Sequence, residues 1–306
     1  MNNPFISIVI PTYNRAWCIN RAIDSCLAQV YQNFEIVITD DGSTDNTISI
    51  IKSYNNKKIK YFKFKENQGV IKARNNSIKN SIGDWIILLD SDDELNLNCL
   101  EIFVKNINNL PNNKNIKIIF SHFINTLNQK TKISKKFQDI IKKSNILTYH
   151  DFICTGGASI GDALPIVRKD VFEKIPYDTN VKRNMAVIWH QLFKISDVLF
   201  IDDYLAVCHT EGVDRITKNR ERDAKLWVNG IKEYIRIFHN DILNFCPKSL
   251  GLHYRSLGVY QFMSHEIHDS RKSFLTAIKY NVFDYKNIVY LFASFNKKIF
   301  QKLFDK

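Results

Sequence analysis

Short apolar runs alternate with amphipathic stretches along the first 120 residues of the chain. The apolar runs predict strands at residues 5–10, 34–39 and 85–90, and the alternating stretch at 59–65 predicts a further strand. Apolar residues at helical spacing predict helices at residues 17–30, 45–54, 70–81 and 97–107. Strands separated by helices of this length indicate βαβ units. We therefore predict an α/β fold with a mostly parallel, Rossmann-like sheet and helices on both of its faces.

The pattern changes in the second half of the chain. One more strand is predicted at residues 116–123, a helix at 183–195 and a strand at 198–209. From about residue 218 the spacing is helical to the end, with breaks expected near Pro247 and around residues 268–270. We expect this half to complete the α/β domain and to continue as a helical extension.

Three polar stretches follow predicted strands: PTYNR at residues 11–15, DDGSTD at 40–45 and DSDDE at 90–94. The carboxyl ends of parallel strands lie at one edge of a sheet, where ligands bind. Asp90 and Asp92, at positions i and i+2, can face Mg²⁺ or Mn²⁺ while substrate phosphates and water complete the coordination. The alternative is a turn that leads into a helix N-cap.

The DDGSTD stretch has a partial structural explanation. Gly42 permits a tight turn and Asp45 can cap the next helix, but neither requires Asp40 and Asp41. A carboxylate at this edge can accept a hydrogen bond from an N–H on a nucleobase. The stretch is therefore a candidate for base recognition.

Four motifs resemble, in order and spacing, the nucleotide-binding half of glycosyltransferase family 2, whose members have the GT-A fold: PTYNR, VITDDGSTDNT, ENQGVIKARNNSI and GDWIILLDSDD. The resemblance covers roughly residues 5–110. It implies a metal-dependent enzyme that transfers a sugar from UDP to a saccharide acceptor with inversion at the anomeric carbon. Mn²⁺ or Mg²⁺ would stabilise the charge that develops on the leaving diphosphate.

The resemblance implies roles for individual residues. Pro11 and Tyr13 would line the base pocket, and Asp41 would read the base. Arg74 would lie near the nucleotide and Asp90 would approach the ribose. In the same way, Asp92 would hold the metal on the diphosphate.

A further metal ligand is predicted at His209, because some GT-A enzymes use a histidine in a loop near this position. A surface histidine without that role is the alternative. Arg215 could contact a phosphate, but a salt bridge at a helix start is as good an explanation.

The general base is where the sequence departs from the family. Family members place an acidic residue ahead of a tryptophan on a helix, but the positions counted back from Trp189 hold Asn184 and Met185, which cannot accept a proton usefully. Three candidates remain for the base: His190, Asp162 and Asp178. A misaligned register, or a protein that binds a sugar nucleotide without turning it over, would also explain the departure.

These assignments divide the chain into three parts. Residues 1–110 form the nucleotide-sugar-binding half of the GT-A domain, 111–216 the acceptor-binding half, and 217–306 a helical C-terminal extension. We expect a hexosyl- or N-acetylhexosaminyltransferase that acts on a lipid-linked or other oligosaccharide acceptor in the synthesis of O-antigen or capsule. A nucleotidyltransferase is disfavoured, because PTYNRAWCIN has no glycine for a phosphate loop.

The charge of the chain indicates an anionic partner. Lys and Arg number 43 against 31 Asp and Glu, a formal +12. The tail from Lys286 to Lys306 places apolar residues on one helical face with lysines around it, which fits an anionic membrane surface or packing back on the domain. Those apolar residues are Ile288, Leu291, Phe292, Phe295, Ile299 and Leu303. We expect no nucleic-acid partner, because the basic residues are dispersed and the sheet edge is acidic.

The six cysteines are scattered without metal-binding spacing. They sit beside apolar residues, so we expect buried free thiols and a reducing compartment. The first residues lack the basic region of a signal peptide, and no apolar stretch has the length of a membrane-spanning helix. The expected location is cytoplasmic and peripheral on the inner face of the plasma membrane.

Overall fold

The computed structural model describes residues 3–126, 134–155, 163–177, 186–209 and 223–304. These residues form two compact units. The first contains residues up to 148 together with 163–177 and 191–209, and the second contains 149–155, 186–190 and 223–304. The boundaries at residues 110 and 216 concern the roles of segments and stay a prediction.

One mixed β-sheet forms the centre of the first unit. Within the described residues its nine strands are β1 (Ile6–Thr12), β2 (Phe34–Asp40), β3 (Ile59–Lys63), β4 (Trp85–Leu88), β5 (Glu94–Leu95), β6 (Ile116–Asn125), β7 (Ile146–Leu147), β8 (Ala163–Arg168) and β9 (Asp197–Cys208). Their order is β3-β2-β1-β4-β8-β6-β9-β5, and β7 pairs with β9. The strands predicted from the sequence are all present in this sheet.

Four neighbouring strands, β3, β2, β1 and β4, are parallel. Ile8 in β1 pairs with Ile36 in β2 and Ile87 in β4, and all three side chains are fully buried. Both faces of β1, β2 and β4 are covered, which explains why their sequences are largely apolar. The edge strand β3 is only partly buried, and its sequence IKYFK alternates. The carboxyl ends of these parallel strands lie at one edge, so the polar stretches after β1, β2 and β4 are brought to the same place.

The remaining strands make the sheet mixed. β8 is antiparallel to β4 and β6, β9 is parallel to β6, and β5 and β7 are antiparallel to β9. The short strand β5 pairs Glu94 with Val207 and Leu95 with Ala206. The DSDD turn between β4 and β5 is therefore fixed at both ends by the sheet.

Helices follow the strands of the first unit in the predicted order, which confirms the α/β fold class. They are α1 (Ile19–Leu27), α2 (Thr47–Ser53), α3 (Val70–Asn80), α4 (Cys99–Asn108), α5 (Lys135–Ile141) and α7 (Lys169–Lys174). In α1, Ile19, Ile23 and Cys26 recur at helical spacing and are buried in the main core. Burial of such an apolar face, more than helix propensity, stabilises a helix of this length.

The second unit is helical. It contains α6 (Tyr149–Ile153), the start of α8 (Ala186–Phe193), α9 (Ala224–Phe245), α10 (Pro247–Met263), α11 (Ile267–Tyr280), α12 (Tyr285–Ala293) and α13 (Lys297–Phe304). The predicted helical extension is confirmed, and its first break lies before Pro247, at the first position of α10. The second break lies at residues 264–266 and not at 268–270, because His265 adopts a left-handed conformation with φ of 65°.

The C-terminal tail is two helices, so the single helical face predicted for residues 286–306 is wrong. α12 ends at Ala293, and the side chain of Asn296 accepts hydrogen bonds from the amides of Lys298 (3.0 Å) and Ile299 (3.3 Å) at the start of α13. Such an N-cap begins a new helix. Leu291 and Leu303 pack against a core around Phe274 and Phe300, whereas most of the other predicted apolar positions are exposed.

A disulfide joins Cys154 to Cys246 in the second unit. The expectation of six free thiols is therefore wrong for this pair, because the fold brings together cysteines that are 92 residues apart. Cys18, Cys26 and Cys99 are buried free thiols, as expected. Within the described ranges, no helix has both the length and the apolarity that crossing a membrane requires.

Candidate functional site

The DDGSTD turn begins with a carboxylate that shapes it. Asp40 is fully buried, and its Oδ1 accepts a hydrogen bond from the Ser43 amide (2.7 Å) while its Oδ2 accepts one from the Tyr61 hydroxyl (2.8 Å). Gly42 has φ of 80°, and a Cβ there would lie 2.6 Å from the Glu66 carbonyl carbon. Only glycine fits such a left-handed position against backbone. The turn is thus built by Asp40 and Gly42 together.

Asp41, the predicted reader of the base, is 3% exposed and already accepts two backbone hydrogen bonds. Its Oδ1 accepts from the Gln68 amide (2.7 Å) and its Oδ2 from the Gly69 amide (2.8 Å). These amides lie at the N-terminus of α3, so the carboxylate caps that helix. Burial raises the pKa of Asp41, and the two amides oppose that rise. Its role in base recognition stays a prediction.

The PTYNR loop is fastened to the DDGSTD turn. The Asn14 amide donates to Ser43 Oγ (2.9 Å), and Asn14 Oδ1 accepts from the Thr44 amide (2.9 Å). Asn14 itself is in a left-handed conformation, which asparagine tolerates better than most residues. Of the two predicted base-pocket residues, Pro11 is buried in β1 and Tyr13 is exposed. An exposed aromatic ring beside a fixed loop is available to stack on a base.

Arg74 and Asp90 form an ion pair, which brings two of the predicted nucleotide-binding residues together. Arg74 lies in α3 with its side chain mostly buried, and Asp90 lies at the end of β4 with about half of its side chain exposed. Burial lowers the pKa of Arg74, but the charge and hydrogen bond of Asp90, together with Tyr177, more than offset this, so the pKa is raised. Nε of Arg74 is buried and has no hydrogen-bond partner. It is a donor without a hydrogen-bond partner, next to the acidic turn of residues 90–94.

The acidic turn holds its carboxylates in an unfavourable environment. Burial and the charge of Asp90 raise the pKa of Asp92, while Arg15 and Arg21 lower it. Burial and the charges of Asp90 and Asp92 raise the pKa of Asp93 to about 8, and Asp93 is only 7% exposed. Sequence reasoning gave Asp93 no role, although it stood in the same DSDD motif. Raised carboxylate pKa values in a cluster indicate a site that is short of positive charge.

Arg21 and His209 border this turn. Arg21 Nη2 donates to the Asp92 carbonyl (3.1 Å), and its Nε lies 3.4 Å from Glu94 Oε1. His209 Nε2 lies 2.8 Å from Glu94 Oε1, and the His209 amide donates to Asp93 Oδ1 (3.2 Å). The predicted metal ligand His209 is therefore next to the acidic turn, where its imidazole faces the carboxylate of Glu94.

The carboxylates of the acidic turn fit a divalent cation whose coordination is completed by the substrate. In the described part of the chain, no three histidine, cysteine or acidic side chains are placed so that they alone could hold a metal ion. Mg²⁺ and Mn²⁺ bound with nucleotides need only one or two protein carboxylates. Asp92 and its neighbours supply these, and a cation would relieve the repulsion that raises their pKa values. A metal held by Asp92 and His209 stays a prediction.

His190, a predicted base, lies in the helical unit. Its Nδ1 is 2.6 Å from the Tyr234 hydroxyl, and its ring packs edge-on to those of Tyr234 and Phe238. Burial and the nearby His253 lower its pKa to about 3. Such an imidazole is a weak base at neutral pH. Several other residues weighed for this region lie outside the described residues: Asp162, Asp178, Asn184, Met185 and Arg215.

Comparison with known proteins gives the family. Residues 7–165 match the model of the family described as glycosyl transferase family 2, just over half of the chain. The chain belongs to glycosyltransferase family 2. This membership agrees with the resemblance predicted from the four motifs.

Curated relatives of this family 2 chain include an uncharacterized glycosyltransferase of Rickettsia conorii, 29% identical over 96% of the chain and 47% of the relative. A GalNAc(5)-diNAcBac-PP-undecaprenol β-1,3-glucosyltransferase of Campylobacter jejuni is 24% identical over 78% of the chain and 75% of its own length. The chain spans less than half the length of the first curated relatives it matches.

Solved structures of similar fold include S. aureus TarS 1–349 in complex with UDP-GlcNAc, with a TM-score of 0.62, 16% identity and 90% coverage of both chains. The mannosyltransferase PcManGT of Pyrobaculum calidifontis, in complex with GDP-Man and Mn²⁺, has a TM-score of 0.55 at 15% identity and covers the whole chain and 89% of that structure. At these identities the likeness concerns the fold. The two neighbours bind different nucleotides, so the fold leaves the donor open.

Proposed function

We propose that this family 2 chain is an inverting glycosyltransferase that moves a sugar from UDP to a saccharide acceptor and depends on Mn²⁺ or Mg²⁺. The observation that carries the proposal is the arrangement at the carboxyl edge of the parallel strands. There the acidic turn at residues 90–94 lies among Arg15, Arg21 and Arg74. Arginines suit diphosphate oxygens and carboxylates suit a hard cation, so the edge matches a sugar nucleotide with its metal.

Asp92, with Asp90 or Asp93 beside it, would hold the cation. When bound, the cation would stabilise the negative charge of the leaving diphosphate. Arg74 has a buried Nε without a hydrogen-bond partner, and it would donate to the bound nucleotide. The nucleotide sugar would in turn compete with Arg74 for the carboxylate of Asp90. Tyr13 would stack on the base, and Asp41 would accept from its N–H in addition to its two backbone bonds.

The acceptor hydroxyl must lose a proton as it attacks the anomeric carbon from the side opposite the diphosphate. Asp162, followed by Asp178, is a better candidate for this base than His190, because an aspartate is ionised at neutral pH and His190 has a lowered pKa. Asn184 and Met185 stand where family members carry an acid. The base is therefore proposed at a different position from that of the family.

A lipid-linked oligosaccharide is proposed as the acceptor. The support is the Campylobacter jejuni relative, whose name specifies an undecaprenol-linked acceptor and which is aligned over most of both chains. A partial relative of Pasteurella multocida, named chondroitin synthase, is 41% identical over 33% of this chain. We further propose that the enzyme works at an anionic membrane surface, where such an acceptor resides, in the synthesis of a surface polysaccharide.

The test is UDP release from a panel of UDP-sugars with Mn²⁺ and lipid-linked acceptors. We expect release that EDTA abolishes and that Asp92→Asn reduces at least about a hundredfold, the loss typical of removing a key charge-stabilising group. Glu101→Gln removes an exposed carboxylate from α4 and should leave the rate unchanged. Metal-independent release, or equal release by both variants, would refute the metal site.

A second candidate function is a nucleotide-sugar-binding protein without turnover, favoured by Asn184 and Met185. It predicts that UDP binds in a Mn²⁺-dependent manner but that no donor of the panel is consumed. Calorimetric titration of UDP in the same preparations separates this outcome from an inactive, misfolded protein. Binding without consumption would select the binder over the enzyme.

A further inference from the structure

The outward face of α12 is apolar. Tyr285, Ile288, Val289 and Phe292 recur at spacings of three and four residues, and all four side chains are exposed. Phe292 is 70% exposed. Phe295, just after the helix, is also exposed, and the guanidinium of Arg271 lies over its ring at 3.9 Å. Surface helices of globular proteins turn such a stripe towards the core. In this helix it faces solvent.

Buried polar contacts fix this orientation. Asn287 is fully buried, and its side-chain amide donates to the carbonyl groups of Ala277 (3.2 Å) and Asn281 (3.0 Å). Its Oδ1 accepts from Arg255 (3.1 Å), which also pairs with Asp284. Turning the apolar stripe inward would break these bonds and leave buried polar groups unsatisfied. The outward stripe is therefore a property of the fold.

Further exposed apolar residues flank the helix along the chain. Val282 and Phe283 precede α12 and are exposed, Phe283 to 87%. Ile299 follows on α13 and is also exposed. These three residues, together with Tyr285, Ile288, Val289, Phe292 and Phe295, are named here the α12 surface. Clusters of exposed aromatic and aliphatic side chains of this kind mark an interaction site.

The segment that carries the α12 surface is strongly basic. Between residues 271 and 304 the sequence carries six lysines and one arginine against a single acidic residue, Asp284. Asp284 is paired with Arg255, so its charge is neutralised. The six lysines are all exposed: Lys272, Lys279, Lys286, Lys297, Lys298 and Lys302. A basic rim around an apolar stripe complements an anionic lipid bilayer.

We infer that the α12 surface docks on an anionic bilayer, with Phe283, Phe292 and Phe295 inserted at the headgroup boundary and the lysines at the lipid phosphates. The inference rests on the proposed function, since a lipid-linked acceptor gives the docking its purpose. It differs from the amphipathic tail predicted from the sequence. α13 buries Phe300 in the protein core, and the loop at 282–283 and the outer face of α12 form the contact.

Flotation of the full chain with vesicles tests the inference. Phosphatidylcholine vesicles with and without phosphatidylglycerol are compared for the wild type, for Phe283→Ser/Phe292→Ser and for Lys286→Gln/Lys297→Gln. All four substituted side chains are exposed, so the variants should fold, which circular dichroism checks. Matched controls on the same unit are Leu226→Ser/Leu243→Ser and Lys225→Gln/Lys248→Gln, which also replace exposed side chains.

The wild type and both controls should float only with vesicles that contain phosphatidylglycerol. Each phenylalanine removed should weaken binding about tenfold, and each lysine about fivefold. Equal flotation by the phenylalanine variant and its control would overturn the inference. So would failure of the wild type to float, including the case in which it forms a dimer that Phe292→Ser dissociates.

UDP release with a water-soluble acceptor, measured without vesicles, keeps the two proposals apart. If docking fails, release should persist and only the α12 surface is misassigned. If release is absent while flotation depends on the phenylalanines, docking stands and the proposed transfer fails.

Discussion

Replacing Asp41 with alanine should destabilise the first unit by about 2–4 kcal/mol. The carboxylate accepts two charge-assisted hydrogen bonds, of 2.7 and 2.8 Å, from amides at the N-terminus of α3. Such bonds contribute about 1.5–3 kcal/mol each. Removal of the buried carboxylate also relieves part of its desolvation cost. That cost is evident from the pKa of Asp41, which burial raises. The net loss is therefore smaller than the sum of the two bonds.

Asp45→Ala is the matched control. Asp45 also caps a helix, and it accepts from the amides of Ala16 (3.0 Å) and Thr47 (3.0 Å), but it is exposed, so water can replace these bonds. Its loss should cost about 1 kcal/mol. Urea unfolding followed by circular dichroism gives both values, and hydrogen exchange reports the protection of the Gln68 and Gly69 amides. A cost for Asp41→Ala no larger than that for Asp45→Ala, with exchange unchanged, would refute this reasoning.

Asp41→Asn separates capping from base recognition. The amide keeps one oxygen for an α3 amide, so the variant should remain folded, with a smaller loss of stability than the alanine variant. If Asp41 also accepts the N–H of uracil, its replacement should reduce the preference for UDP over CDP. Calorimetric titration of both nucleotides measures that preference. An unchanged preference would mean that Asp41 serves the fold alone.

Two further predictions concern the helical unit. Burial lowers the pKa of His190 to about 3 and of His253 to about 4, so the unfolded chain takes up protons below about pH 6.5 while the folded protein does not. The free energy of unfolding should therefore fall as the pH drops from about 6.5 towards 4, by up to about 2.7 kcal/mol per pH unit. Urea unfolding at several pH values measures this slope, and His190→Gln/His253→Gln should flatten it. Reduction of the disulfide between Cys154 and Cys246 should lower the free energy of unfolding by about 2–5 kcal/mol. Mass spectrometry of the unfolded protein should find these two cysteines unreactive towards an alkylating agent before reduction and alkylated after it. An unchanged melting temperature on reduction, or alkylation of the two cysteines without reduction, would contradict this prediction.

Local patterns predicted the parallel half of the sheet well. The strands at 5–10, 34–39 and 85–90 were recognisable because both faces are buried, which gives largely apolar runs. The polar stretches after them were recognisable because parallel strands bring their carboxyl ends to one edge. The ion pair of Arg74 with Asp90 joins two residues that the family resemblance had placed in one site.

Contacts between distant segments could not be predicted from such local patterns. Asp41 has the sequence context of a ligand-binding residue, and its bonds to Gln68 and Gly69 depend on how α3 meets the sheet. Asp93 acquires its raised pKa only when burial removes water from a crowded turn. His190 looked suited to proton transfer at its intrinsic pKa, but burial and the nearby His253 lower that pKa.

The sequence by itself determined the α/β class, the family and the order of the polar loops, because these depend on hydrophobic periodicity and on motifs within single segments. Tertiary structure alone decided which carboxylates are buried, which cysteines pair and which face of α12 meets solvent. The reason is physical: the apolar stripe of α12 has the spacing of a core-facing helix, and buried bonds from Asn287 to the carbonyls of Ala277 and Asn281 turn it outward. Hydrophobic periodicity indicates that a helix has an apolar and a polar face, and the packing partners determine which face is buried.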